Sequence, residues 1–228
     1  MVIVYFLHLL WLIPASWIDC FLVRNKPFEV RCEHLSQWSK RMLRFLHVKL
    51  EVELESELPK DAAFLIVSNH QSFVDLFMLE AGIPVPFTFV SKKENQKIPY
   101  LSSWSKNLEM IYFDREDQGS AVHMLRETTR RLKAGQNVLI FPEGTRSSAK
   151  EMNEMQAGSI QPAFLSKSYL LPVMLYNSFD YKQVVKHHGT LKMKIARPIP
   201  FTEYKPKKAD GAIQELQIMM QETIINNN

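Results

Sequence analysis

Three patterns of apolar and polar positions follow one another along this chain, and the first is an almost unbroken apolar run. Within residues 1–23, His8 and Asp19 are the only acidic or basic side chains. A helix of this length can cross a hydrocarbon core of about 30 Å. Pro14 removes one helix hydrogen bond, and a carboxylate in mid-membrane is costly. The pattern therefore predicts a membrane helix that either spans the bilayer or is partly immersed in it.

The second pattern is amphipathic and covers residues 28–48. Apolar residues recur there at spacings of three and four, which places them on one face of a helix, and basic residues lie elsewhere. A basic amphipathic helix beside an apolar one indicates an interfacial membrane anchor. A helix packed on the globular core is the alternative. The apolar positions are Leu35, Trp38, Met42, Phe45 and Leu46, and the basic ones are Arg31, Lys40, Arg41 and Arg44.

The third pattern starts at residue 62, where short apolar runs alternate with helical periodicity. Near-continuous apolar strands separated by helices predict an α/β fold, with a mixed, mostly parallel sheet flanked by helices. The predicted strands are 62–69, 86–90, 109–114, 137–144, 169–177 and 190–199, and the predicted helices are 72–82, 117–135, 158–168 and 209–224.

Composition and charge add a domain arrangement and an orientation. The chain has 228 residues, 46% of them hydrophobic, which suits one sizeable core with an attached segment. We therefore expect a two-helix membrane anchor in residues 1–50 and one folded domain in 51–228. The formal net charge of +4 favours an anionic membrane surface or another polyanion. Lysine and arginine follow the apolar run but do not precede it, which predicts that the remainder of the chain faces the cytoplasm.

A histidine and an aspartate follow the first predicted strand, in the stretch SNHQSFVDLF of residues 68–77. His70 is placed at the carboxyl end of that strand, where open α/β sheets bind their ligands. Ser72 and Asp75 have the spacing of a capping box at a helix start. The carboxylate can also accept an imidazole N–H, which would leave the other ring nitrogen free to remove a proton from a hydroxyl. Both roles of Asp75 stay open at this point.

A second candidate site follows the predicted strand 137–144, in the stretch LIFPEGTRSS of residues 139–148. Gly144 permits close backbone approach or a positive φ, and the planar guanidinium of Arg146 suits a phosphate. Lys92 and Lys93 follow another predicted strand and add positive charge at the same edge. These residues predict an anion site. A plain strand exit with a solvated arginine is the alternative.

Two of these stretches carry a resemblance to a known family. NHQSFVD (69–75) is similar to the NHxxxxD box of the glycerolipid acyltransferases, and FPEGTRS (141–147) resembles their EGTRS box, in the same order and at similar spacing. IYFDR (111–115) resembles the block between them. The resemblance covers roughly residues 35–200, and within the family the chain is most similar to the short bacterial 1-acylglycerol-3-phosphate acyltransferases. Ser102 stands where the family commonly has a glycine.

The resemblance implies a reaction and its participants. His70 would be the general base on the 2-hydroxyl of 1-acylglycerol-3-phosphate, oriented by Asp75, and the hydroxyl would attack the thioester of acyl-CoA or acyl carrier protein directly, giving phosphatidic acid for phospholipid biosynthesis. No covalent acyl-enzyme, metal or prosthetic cofactor is implied. The enzyme would work at a bacterial inner membrane, with its active domain on the cytoplasmic face.

The resemblance also implies roles for the residues of the second site. Arg146 would hold the phosphate of the acceptor and Glu143 would contact its glycerol part. Backbone amides near Gly144 and Thr145 would stabilise the oxyanion. The weaker phosphate candidates are Lys92, Lys93 and Arg115.

Two other functions remain compatible with these residues. An acyltransferase of the same chemistry could use another lysophospholipid or a lyso-ornithine lipid as acceptor. A non-enzymatic basic module could dock on an anionic membrane or on nucleic acid. The second function fits less well, because the motif residues are predicted at strand ends around one pocket instead of along a basic and aromatic stripe. We therefore expect a membrane partner and no nucleic acid.

Overall fold

The computed structural model describes residues 2–114 and 117–226, and for 2–10 and 99–101 the backbone alone. The described residues form one seven-stranded sheet of order β1-β7-β6-β2-β5-β3-β4. Its strand pairs are parallel except for β6 with β7. This confirms the predicted mixed, mostly parallel sheet. The strands are β1 Lys49–Leu54, β2 Phe64–Ser68, β3 Phe87–Lys92, β4 Ile111–Phe113, β5 Asn137–Ile140, β6 Tyr169–Tyr176 and β7 Thr190–Ile195.

Helices cover both faces of this sheet. Successive residues of β2 point to opposite faces, so Phe64 and Ile66 belong to one hydrophobic cluster while Leu65 and Val67 belong to the other. The first cluster lies under α1 to α4 and the second under α5, α6 and α9. The helices are α1 Val2–Val23, α2 Phe28–Phe45, α3 Asp75–Gly82, α4 Pro99–Asn107, α5 Gln118–Lys133, α6 Gln161–Ser166, α7 Tyr181–Lys186, α8 Phe201–Tyr204 and α9 Lys208–Asn226.

The central strands determine where the candidate chemistry lies. Strand β2 runs between β5 and β6, parallel to both, with Val67 opposite Ile140 and Ser68 opposite Val173. The carboxyl ends of β2 and β5 are therefore neighbours. The NHQSFVD and FPEGTRS stretches leave the sheet at this shared edge, as the sequence predicts.

Four elements were not predicted: β1, α4 and the short helices α7 and α8. Strand β1 has an alternating KLEVEL pattern and forms an edge of the sheet beside β7, with most of its residues exposed. Helix α4 begins with Pro99 at its first position, and its Trp104 side chain is almost completely buried. The alternation in β1 is typical of a half-exposed strand and was overlooked, whereas the few apolar positions of α4 give a weak helical pattern.

The two N-terminal helices pack on the sheet domain and on each other. The carboxylate of Asp19 in α1 accepts hydrogen bonds from Trp38 Nε1 (2.7 Å) and His34 Nδ1 (2.9 Å) in α2. Trp104 Nε1 of α4 donates to Ser16 Oγ of α1 at 2.9 Å. Both predicted helices are present, and α2 ends at Phe45, three residues earlier than predicted. Among the helices of the described residues, none has the length and apolar character needed to cross a membrane.

Candidate active site

His70 and Asp75 form a hydrogen-bonded couple between β2 and α3. The Nδ1 atom of His70 lies 2.7 Å from Asp75 Oδ2. The Asp75 side chain is fully buried, whereas 15% of the His70 side chain is exposed. Because an ionised carboxylate can only accept, this bond places the imidazole proton on Nδ1 and leaves Nε2 with its lone pair. The couple therefore has the arrangement of an oriented general base.

The same Asp75 carboxylate organises the backbone before α3. Its Oδ2 atom accepts the backbone N–H of Gln71 (2.7 Å) and of Ser72 (2.9 Å). The Ser72 hydroxyl donates to Oδ1 at 3.2 Å, so it binds the carboxylate and does not cap the helix. The helix consequently begins at Asp75, three residues after the predicted start. Asp75 contributes to both local structure and imidazole orientation, which sequence reasoning had left as compatible alternatives.

Glu143 connects the two sequence motifs. Its Oε1 accepts the backbone N–H of His70 at 2.7 Å, and its Oε2 accepts the backbone N–H of Asn153 at 2.7 Å. The side chain is buried, and this burial raises the pKa of the carboxyl to about 7. The sequence predicts that Glu143 contacts the glycerol part of a substrate. In the structure, each of its carboxylate oxygens already accepts a hydrogen bond from a backbone amide.

Two further contacts fix the orientation of His70 against the second motif. The His70 carbonyl accepts the backbone N–H of Ser147 at 2.8 Å. The Phe141 ring stacks on the imidazole with 4.1 Å between ring centroids and 18° between planes. The histidine is thus held through its amide, its carbonyl and its ring face.

Asn69 and Gln71 have structural roles that sequence reasoning missed. The Asn69 side chain is fully buried, and it accepts from the backbone N–H of Leu175 (2.8 Å) and donates to its carbonyl (3.1 Å). Gln71 accepts from the Ser178 hydroxyl at 2.9 Å. These three bonds tie the His70 segment to the end of β6 and the turn after it. The available signal was their position, because two amide side chains flank His70 directly after a buried strand.

A cleft of about 830 Å³ opens over this couple. His70 and Lys92 line it together with Glu143, Gly144, Thr145 and Arg146. An apolar wall of Phe73, Leu76, Phe89 and Met110 is shared between the cleft and a second cavity, whose lining is mostly apolar but includes Ser39 and Glu80. The cleft therefore combines a proton acceptor, positive charge and apolar surface.

The remaining predicted site residues differ in position and in whether they are available to a substrate. Gly144 has the predicted positive φ, of 66°, but its N–H donates to the Phe141 carbonyl at 2.9 Å and is not available to an oxyanion. This corrects the prediction for that amide, because a tight turn uses it. Lys93 is exposed at the start of a 3₁₀ turn and does not line the cleft, while Arg115 lies outside the described residues. Across 2–114 and 117–226, no three histidine, cysteine, aspartate or glutamate side chains are grouped to hold a metal ion.

Comparison with known proteins places this site in a family context. Residues 49–176 match the family model described as Acyltransferase. A 1-acyl-sn-glycerol-3-phosphate acyltransferase of Saccharomyces cerevisiae is 28% identical over 84% of this chain and 67% of its own length. The enzyme of that name in Bacillus subtilis is 30% identical over 66% of this chain and 73% of its own.

One solved structure resembles the whole chain. The 1-acyl-sn-glycerophosphate (LPA) acyltransferase PlsC of Thermotoga maritima superposes with a TM-score of 0.76, over 98% of this chain and 94% of that one. The two sequences are 22% identical, so the likeness establishes the fold.

Proposed function

The chain belongs to the acyltransferase family, and on that basis we propose that it acylates the 2-hydroxyl of 1-acylglycerol-3-phosphate, giving phosphatidic acid. The observation that carries the proposal is the His70–Asp75 couple at the floor of the cleft, with a bond of 2.7 Å. The names of relatives from yeast and a bacterium support this acceptor. The donor is a thioester, either acyl-CoA or acyl carrier protein.

The reaction begins at the Nε2 lone pair of the His70 imidazole. Nε2 of His70 removes the proton of the acceptor hydroxyl while the hydroxyl oxygen attacks the thioester carbonyl. Asp75 stabilises the imidazolium that forms. The tetrahedral intermediate collapses, the carbon–sulfur bond breaks, and the imidazolium returns its proton to the departing thiolate. The products are an ester and a free thiol, without a covalent acyl-enzyme.

The substrates fit different parts of the cleft. Arg146 is exposed on its rim and binds the acceptor phosphate through its guanidinium, and Lys92 is a second cationic side chain in the cleft lining. Lys93 lies outside that lining and has no role in phosphate binding here. The apolar wall formed by Phe73, Leu76, Phe89 and Met110 accommodates an acyl chain.

We further propose that α1 and α2 hold the enzyme on the cytoplasmic surface of a bacterial inner membrane. Trp11, Ile18, Phe21 and Leu22 of α1 are 62–74% exposed, which leaves an apolar helix face without protein cover. The basic side chains of α2 add attraction to anionic lipid. A membrane position gives the enzyme direct access to a lipid acceptor and receives a product that is insoluble in water.

The test is release of free thiol from acyl-CoA, and separately from acyl carrier protein, in detergent micelles with 1-acylglycerol-3-phosphate. We expect His70→Ala to lower the rate by a factor of about 10² to 10⁴, the usual contribution of a general base. The matched control is His123→Ala, because His123 is exposed on α5 and is not among the residues that line the cleft. Retained activity in His70→Ala would exclude the mechanism, and turnover only with phosphate-free acceptors would exclude the phosphate role of Arg146.

A further inference from the structure

The Glu143 carboxylate bridges two segments that are distant in sequence. One oxygen accepts the His70 N–H and the other accepts the Asn153 N–H, each at 2.7 Å. His70 follows β2, while Asn153 lies in the loop that leaves β5 and carries Arg146. Glu143 therefore fixes the general base relative to the loop with the cationic side chain.

Both bonds are short, and when the carboxyl is ionised they are charge-assisted and therefore stronger than neutral amide bonds. The side chain is 6% exposed, and its burial opposes ionisation. Hydrogen bonds from the two backbone N–H groups offset the free-energy cost of burying the charged carboxylate, but only while the carboxylate accepts both of them. A direct bond to the acceptor would compete with these amides.

Charge also argues against contact with the acceptor. Both Glu143 and the buried Asp75 are carboxylates, and the nearby Asp75 charge acts against ionisation of Glu143. The phosphate of the proposed acceptor would bring a third negative group toward the same place. Like charges in a partly desolvated cleft repel strongly, so Glu143 is poorly suited to bind that substrate.

We propose that Glu143 is a positioning residue, which clamps the His70 amide to the Asn153 amide and does not bind the acceptor. The inference rests on the proposed function, since His70 is taken as the general base. Glu143 then affects the rate of the chemical step, whereas the cationic side chains recognise the acceptor.

The experiment compares Glu143→Gln with the full-length wild type in detergent micelles. Glutamine keeps the side-chain length but turns an NH₂ group toward one of the two backbone donors, so one half of the clamp is lost. Acyl-CoA is kept saturating, and the mole fraction of 1-acylglycerol-3-phosphate in the micelle is varied. We expect kcat to fall by about tenfold or more while the acceptor KM stays within about threefold of wild type. Glu151→Gln, an exposed change in the same loop, is the matched control and should leave both constants unaltered.

A rise of tenfold or more in the acceptor KM, with or without a change in kcat, would overturn the proposal, and so would unchanged constants. If Glu143→Gln loses cooperative unfolding, Asn153→Pro removes one donor and keeps the carboxylate; the same fall in kcat at steady KM is then expected. If wild type uses a different lysolipid, the acceptor is wrong and the comparison is made with that lysolipid.

Complete absence of thiol release would reject the proposed function and not the clamp. In that case the clamp is tested by the Nδ1 proton resonance of His70, assigned by its loss in His70→Ala. We expect this resonance to shift or broaden in Glu143→Gln and to persist in Glu151→Gln. An unchanged resonance in Glu143→Gln would overturn the positioning role.

Discussion

At the scale of single residues, the site contains two buried carboxyl groups, Asp75 and Glu143, and hydrogen bonding and burial act on them in opposite directions. Asp75 accepts two backbone amides, a hydroxyl and the imidazole, which gives its buried carboxylate several donors. Glu143 has two backbone donors, and burial raises its pKa to about 7. The clamp needs the charged form of Glu143, whereas burial favours the neutral one. The position is therefore held at some cost in stability, as is common at functional sites.

This opposition predicts how stability depends on pH. The unfolded chain releases the Glu143 proton near its ordinary pKa of 4.5, while the folded chain keeps it until about pH 7. The folded state binds more protons in that window, so the free energy of unfolding should fall by up to about 3 kcal/mol as pH rises through it. Urea unfolding of wild type and Glu143→Gln at several pH values measures this, since the difference between the two curves removes contributions they share. Parallel curves would contradict the shifted pKa.

At the scale of elements, helices α1 and α2 pack on the protein core with one side, while α1 also has an exposed apolar face. Their inner faces contribute Cys20, Leu35 and Trp38 to the hydrophobic cluster under the sheet. The outer face of α1 is apolar and uncovered, and the Asp19 carboxylate accepts hydrogen bonds from His34 and Trp38 of α2. The carboxylate that argued against an immersed helix thus has its hydrogen bonds supplied by α2.

The exposed face of α1 can be tested with a pair of matched variants. Ile18 is 62% exposed on α1 and Ile218 is 58% exposed on α9. If α1 lies on the membrane, Ile18→Ser should weaken binding to anionic phospholipid vesicles by about 10- to 100-fold, because insertion of a large apolar side chain contributes about 1.5–3 kcal/mol. Ile218→Ser should bind like wild type. Equal effects of the two changes in vesicle co-sedimentation would disprove the orientation.

At the scale of the whole molecule, the sheet order gives the site its shape. Strand β2 lies between β5 and β6, so the His70 segment receives partners from both sides: Glu143 from the end of β5 and Leu175 from the end of β6. The N-terminal helices complete the core on one face of this sheet. The described side chains of α1 and α2 therefore contribute to packing as well as to the proposed anchoring.

A truncated chain of residues 48–228 tests that contribution to packing. Removal of α1 and α2 uncovers the hydrophobic cluster they share with α3 and α4. Each large side chain buried there contributes about 1.5–3 kcal/mol, and several together equal a typical total stability of about 5–15 kcal/mol. We expect the fragment to lose cooperative unfolding by circular dichroism. A fragment with the thermal midpoint of the full chain would show that 51–228 folds alone.

The sequence by itself determined the local elements and the residues of the couple. Apolar runs of strand length and stripes of helical period specify buried faces directly, so the central strands and the long helices were predicted within a few residues. The two motifs predicted His70, Asp75 and Arg146 near the carboxyl ends of strands, where open α/β sheets bind their ligands. Strand β1 was missed although its alternation is typical of a strand, whereas α4 has a weak apolar pattern and its structure depends on the surfaces it packs against.

Only the tertiary structure decided what each side chain touches. Glu143 and His70 are 73 positions apart, and their bond exists because β2 and β5 lie side by side in register. The engagement of the Gly144 amide within a turn, and of Asn69 with Leu175 over 106 positions, likewise follows from the path of the backbone. Local periodicity carries no information about these distances, because it specifies which face of an element is buried and not which neighbour covers it.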